Sequence, residues 1–424
     1  MASPDGTDDT LIKATAKPKL FYGYIIVLCS FLILMIAWGA QYSFGVFFKP
    51  MLNDFGVSRA FISGAYSINL IIQAVSCIFT GKLCDKYGPR VVVNICGAFL
   101  GISYLLMSVT QNAWQIYIIF GVFASIGVAG TWVPLLSTIT RWFVSFRGLM
   151  CGIAAAGIGI GVMVMPALSS YLITNLGWRI SYFIIGIAVL VFIISSAQFL
   201  RRDPAQVGQH AVGTAEERAD NMPSFNFREA LRTRQFWLIN GVYLMMAACM
   251  HSTLVHIVPH ATDLGIAEVT AATVISVIGG ISIVSKVIAG IALDRLGNRS
   301  IAIIIPALML TSFIIIQFSN SLWSLYVFAV FFAFAYGGFA AIQSPYLAEL
   351  FGLKYHGTIF GFSLFIMGAG AFGPFAAGKI FDATASYTAA FMMLAAMSLL
   401  AIVFAGSIKR PSVAARPKTN NHSF

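Results

Sequence analysis

Apolar residues in this chain gather into runs of about twenty, separated by short polar or glycine-bearing connections. At 1.5 Å per residue a helix of that length crosses a hydrocarbon layer about 30 Å thick. Twelve such runs are read, at 21–48, 61–82, 90–109, 114–140, 148–172, 180–199, 237–258, 270–291, 300–318, 323–348, 357–380 and 386–407. Strands of a membrane barrel would instead alternate in polarity over about ten residues, a pattern these runs lack. The predicted fold class is therefore an all-α membrane protein with twelve transmembrane helices. An even number of crossings puts both chain ends on one side. The expected organisation is an N-terminal cytoplasmic tail (1–20), a six-helix bundle (21–199), a cytoplasmic linker (200–236), a second six-helix bundle (237–408) and a C-terminal cytoplasmic tail (409–424).

Composition sharpens the class. Of 424 residues 59% are apolar and 10% charged, against about 25% charged in soluble proteins, and mean hydropathy is +0.86. That excludes a soluble multidomain enzyme, a disordered regulator and a disulfide scaffold. The net charge of +11 alone would suit nucleic acid, but the basic residues cluster between the apolar runs. With the N-terminus cytoplasmic, only Lys49, Arg59, Arg179 and Lys379 face outward and Lys286 lies inside a run. The other basic residues are all inside, the bias expected of a plasma-membrane protein with cytoplasmic termini. The six cysteines lack CxxC spacing and read as small buried hydrophobes, so no metal or cofactor is called for. Residues 1–20 lack an apolar stretch before a cleavage site, which reads as a retained tail. Within the linker, Asn226 and Glu229 have capping-box spacing while Phe227 and Leu231 share a face. The segment reads either as a short amphipathic helix on the inner leaflet or as a plain polar linker.

The two halves repeat at one offset of 209 residues. Gly81, Asp85, Gly88 and Arg90 of GKLCDKYGPR fall on Gly290, Asp294, Gly297 and Arg299 of GIALDRLGNR. Pro50, Asp54 and Gly56 meet Pro259, Asp263 and Gly265, and Gly148, Gly152, Gly159 and Gly161 meet Gly357, Gly361, Gly368 and Gly370. A single displacement held over so much chain means two parallel six-helix halves related by an axis along the membrane normal, with a binding site expected between them near mid-depth.

GKLCDKYGPR resembles the inner-loop motif G-x-L-x-D-x-x-G-x-R of the major facilitator superfamily at every fixed position, and its copy departs only at the third. The stretch RWFVSFRGLMCGIAAAGIGIG, with Trp142, Phe143, Arg147, Gly152, Ala154, Gly157 and Gly161, is similar to the fifth span of the monocarboxylate transporter family and the oxalate/formate antiporter family. Tyr22-Gly23-Tyr24 stands where those families carry Trp-Gly-Trp. The resemblance implies a secondary transporter with the major facilitator fold. It implies that Asp85, Arg90, Asp294 and Arg299 latch the cytoplasmic side through salt bridges and helix-end contacts, and that Arg147 shares that moving interface.

Charge inside the runs is scarce. The acidic residues lie outside them or at their ends, and Lys286 is the one basic residue inside a run away from its ends. A charge at depth costs about 2.5–3.5 kcal/mol on insertion scales, so it should face a water-filled cavity, where a lone ammonium is an anion site; snorkelling to the nearby interface is the bland alternative. The resemblance implies the same, because those families place a carboxylate-binding cation four residues before the motif glycine, here Lys286. The families' partner aspartate and span-one lysine are replaced by Ser282 and Tyr42, and the oxalate carrier's second cation is missing from span eleven. One cation suits one carboxylate. His251, at offset 209 from Tyr42, is the candidate proton carrier, since histidine titrates near pH 6.5; a hydrogen-bonded helix histidine is the plain alternative. Tyr42, Trp132 and Tyr336 can line the cavity and contact a carbon tail, although aromatic residues are common enough here to be packing. The expected function is proton-coupled symport of a small monocarboxylate such as lactate, pyruvate or acetate. Anion exchange and a non-transporting sensor are the alternatives. No HExxH, no GxSxG and no acidic pair at depth suggests an enzyme, and neither nucleic acid nor a partner protein is implied.

Overall fold

The computed structural model describes residues 21–57, 59–211 and 224–409. The two terminal tails expected at 1–20 and 409–424 therefore lie, but for Lys409, outside the described residues. Among those described, twelve helices are long and apolar enough to cross a membrane. They are α1 (Gly23–Phe55), α2 (Gly64–Tyr87), α3 (Pro89–Ser108), α4 (Trp114–Trp142), α5 (Arg147–Leu176), α6 (Trp178–Ala197), α7 (Arg234–Asp263), α8 (Thr273–Leu296), α9 (Asn298–Gln317), α10 (Leu322–Phe351), α11 (His356–Phe381) and α12 (Thr388–Ser407). Several outrun the apolar runs that predict them. The ends of α2 and α8 carry the repeated motif as helix, because a helix need not stop where hydrocarbon does. Reversals between spans are tight: Gly88 and Gly297 sit at φ 84° and 81° with extended ψ, a conformation glycine alone tolerates easily. Each joins two helices in one residue.

The repeat is visible in the packing between halves. At the end of the bundle where the motifs lie (the motif end), α2 packs on α11 and α5 on α8. A side chain at Gly81 would overlap the Gly357 carbonyl, and one at Gly361 the Cys77 carbonyl. The matching positions behave alike: Gly290 meets the Gly148 carbonyl, and Gly152 meets that of Lys286. Cys77 and Lys286 are repeat mates, so both seams are built from the same glycine–carbonyl contact. Small residues let the backbones meet this closely. At the opposite (far) end, a Cβ at Gly279 or Gly280 of α8 would meet nothing within 4 Å. The close glycine–carbonyl contacts between the halves thus lie toward the motif end, and Gly279 and Gly280 make none.

The linker corrects one expectation. A helix does form at Phe227–Leu231 with the Asn226/Glu229 capping box, but its apolar side packs on protein. Phe225 donates its N–H to the Phe351 carbonyl at 2.9 Å, and the Phe227 ring lies edge-on to Phe362 at 5.1 Å. Five residues are too short to hold a stripe in lipid, while the ends of α10 and α11 offer a ready apolar seat. All six cysteines are buried and unpaired.

Candidate functional site

Lys286 is 4% exposed. Its backbone is pinned at the seam by Gly152, and its ammonium lies 5.7 Å from the Tyr336 ring centre. Among the described residues the nitrogen has no hydrogen bond or ion pair, yet it is absent from the polar atoms sealed away unpartnered, so it retains a patch of open surface. The side chain thus points to an aromatic wall between the halves and does not reach out toward the headgroup level. Contact with the Tyr336 face compensates part of the desolvation by the ring quadrupole. Tyr336 in turn stacks on Phe332 one turn away, 6.3 Å between centres.

The opposing wall comes from the N-terminal half. Trp38 and Tyr42, one turn apart on α1, have ring centres 6.0 Å apart, and Trp38 lies 6.0 Å from Trp132 on α4. Tyr42 is 41% exposed yet within electrostatic reach of Tyr336 and Tyr66, so the surface it presents faces the space between the halves. Trp132 donates its indole N–H to Gln343 Oε1 on α10 at 3.2 Å. Tyr42, Trp132, Tyr336 and Lys286 therefore bound one space. Trp38 and Gln343 belong to it too, and sequence reasoning passed over both. A signal existed for Trp38, which shares the α1 face of Tyr42 at a spacing of four; a lone glutamine in an apolar helix carried none for Gln343.

His251 stands on α7, half-buried, with Nδ1 2.7 Å from the Ala247 carbonyl. A carbonyl only accepts, so Nδ1 carries the hydrogen and Nε2 holds the free lone pair. His256 is fully committed, Nε2 donating to the Pro374 carbonyl at 2.9 Å and Nδ1 facing the Tyr387 hydroxyl at 3.3 Å. Among the described residues no group of three or more His, Cys, Asp or Glu is placed to hold a metal.

The motif residues form the closed end, where both aspartates make helix-end contacts across the halves. Asp85 accepts from the backbone N–H groups of Gly357 and Thr358 at 3.0 and 2.6 Å and from the Thr358 hydroxyl at 2.8 Å. Asp294 accepts from Gly148 and Leu149, both at 2.8 Å. Each carboxylate caps the N-terminus of a helix in the other half, where orphan N–H groups and the helix dipole favour an anion. The expected salt-bridge role of Arg90 and Arg299 is corrected. Arg90 holds Gln198 at 2.6 Å and Arg299 the Gly406 carbonyl at 2.9 Å, so each ties together helices of its own half. The cation beside Asp85 is Arg141, at 3.2 Å, a residue whose role sequence reasoning missed because it lies outside the motif. Arg147 donates to the Phe143 carbonyl at 3.0 Å and lies within electrostatic reach of Asp294 and Glu349.

Comparisons with known proteins agree with this geometry. The profile of the Major Facilitator Superfamily matches residues 29–315 and 248–423. The chain is 27% identical to the oxalate:formate antiporter of Oxalobacter formigenes, covering 80% of each chain. It is 26% identical to monocarboxylate transporter 4 of Mus musculus, covering 92% of this chain and 86% of that one. Among solved structures the human organic anion transporter MFSD10 superposes with a TM-score of 0.72 at 16% identity, over 90% of this chain and 99% of that one; this likeness speaks for the fold. Twelve apolar spans, a glycine-seamed repeat and the matching profile have one conclusion: the chain is an integral, multi-pass membrane transporter, not an enzyme, and belongs to the Major Facilitator Superfamily.

Proposed function

We propose that the protein is a plasma-membrane carrier of small organic monocarboxylates, working by alternating access of its two halves around Lys286, with both termini cytoplasmic. The observation that carries the reading is the ammonium at the seam, without a counter-ion among the described residues and backed by Tyr336. An unpaired cation in such a site attracts an anion because low dielectric strengthens their attraction while the site's own desolvation has already been met by the fold. One cation matches one carboxylate, and Tyr42, Trp38 and Trp132 offer the carbon tail an apolar wall. The names of the relatives, an oxalate:formate antiporter and a monocarboxylate transporter, support a carboxylate over a sugar. With the motif end cytoplasmic, as the basic residues favour, the closed latches give an outward-facing form.

Proton symport is the first reading. The free lone pair of His251 Nε2 offers a place for the proton, which would restore neutrality to the loaded carrier. Exchange is the second, favoured by the absence of any carboxylate beside Lys286 among the described residues. Purified protein in liposomes separates them. Uptake of a labelled monocarboxylate driven by an inward proton gradient with no internal acid supports symport, and strict dependence on internal anion supports exchange. Lys286→Gln should reduce uptake at least about tenfold, the loss of one charge-assisted contact, while Lys286→Arg retains most of it. A wild-type protein that binds acids but moves none would be a sensor.

A further inference from the structure

The hydrogen bonds that join the two halves between described residues fall into two tiers. One is the pair of aspartate caps at the motif end. The other is a single bond, Trp132 Nε1–H to Gln343 Oε1 at 3.2 Å. The spans α4, α8 and α10 all run toward the motif end, finishing at Trp142, Leu296 and Phe351. Counted back at 1.5 Å per residue, Trp132, Lys286 and Gln343 stand about 12–15 Å above it. Tyr336, which faces the Lys286 ammonium, is two helical turns above Gln343 on the same face of α10. The bond therefore spans the floor of the space beneath the lysine's aromatic contact, with the caps beneath it.

Its construction suits a door. Trp132 is 9% and Gln343 3% exposed, and the Gln343 backbone is fixed because its carbonyl accepts from the Tyr243 hydroxyl at 2.7 Å. The amide's own N–H group is spent on Met367 Sδ at 3.5 Å, a weak acceptor, so the side chain gives up little when it turns. The repeat supplies no second copy: the 209-offset mates of Trp132 and Gln343 are Ala341 and Pro134, which cannot form the bond. One substitution on either side removes it.

We infer that the Trp132–Gln343 hydrogen bond is an inner door that must break before a ligand at Lys286 can pass to the motif end, making Gln343 a positioning residue for the transport step. The inference rests on the alternating-access reading above, but its test needs no substrate. Native Cys151 is fully buried at the motif-end seam, within electrostatic reach of Arg147 and Asp294, and becomes reachable only when that end opens. Purified full-length protein in detergent is treated with a maleimide and modification of Cys151 is followed by peptide mass spectrometry. Gln343→Leu and Trp132→Phe should each speed modification about fivefold, the worth of one neutral hydrogen bond, and the double variant should be no faster than either. A merely structural role would give wild-type rates in the single variants or multiplied effects in the double, and either result overturns the door. Should Gln343→Leu fail to insert, Trp132→Phe carries the test. If the wild type moves no acid while the variants still change Cys151 modification non-additively, the transport reading falls and the door stands.

Discussion

At the scale of single residues the central fact is an ammonium that has no counter-ion among the described residues and lies against the Tyr336 ring. Lys286 was legible from the sequence because a charge inside an apolar run is costly and rare, so its presence alone demands a reason. What the sequence could not separate was cavity from snorkelling, because a lysine stem spans either distance; the Tyr336 contact at 5.7 Å is a property of the fold. Gln343 was illegible for the opposite reason, since an uncharged amide in a helix has no period or cost that marks it. The same asymmetry holds for the aspartates. Their repetition at offset 209 announced a function, but nothing in the motif shows that Asp85 caps α11 and Asp294 caps α5. Asp85→Ala should uncap α11 and lose about 0.5–2 kcal/mol of stability, as loss of a helix cap does. Thermal unfolding of purified protein measures it, and an unchanged midpoint would mean that water replaces the carboxylate without cost.

Between elements, glycines set how closely the halves approach. Gly152 and Gly361 each abut a carbonyl of the facing helix, and a methyl group there has nowhere to go. Gly152→Ala or Gly361→Ala should cost about 1–3 kcal/mol as an overpacked contact. Gly45, whose Cβ would meet nothing within 4 Å, is the control, and Gly45→Ala should be neutral or stabilise by about 0.4–1 kcal/mol. Equal melting shifts at the three positions would show that the seams are looser than drawn. Span number and order were readable because hydrophobic run length is a strong signal. Span ends were less so: α1 continues to Phe55 and α8 to Leu296, past the apolar runs, where hydrogen bonding within the helix rather than hydropathy decides. The linker helix at Phe227–Leu231 was foreseeable from its capping box, whereas its seat against Phe351 and Phe362 depends on residues more than a hundred positions away.

For the whole molecule, the repeat explains why one fold can both seal and move. The two seams, α2 against α11 and α5 against α8, are copies of one contact, so neither half is the fixed frame. The site, however, breaks the symmetry: Lys286 has Cys77 as its mate and Tyr42 has His251, so charge and titratable group stand on one half and much of the aromatic wall on the other. On the proposed reading, an anion bound between them would contact both and thereby favour one arrangement of the halves over another, which is all that a ligand-driven change requires. The most direct measurement of this account is the thermal midpoint of purified protein with and without a short monocarboxylate, for wild type and Lys286→Gln side by side, since a ligand stabilises in proportion to its occupancy. A rise in the wild type that vanishes in Lys286→Gln, with both proteins equally folded, is the predicted result. The same rise in both would place the anion elsewhere and contradict the role given to the lysine.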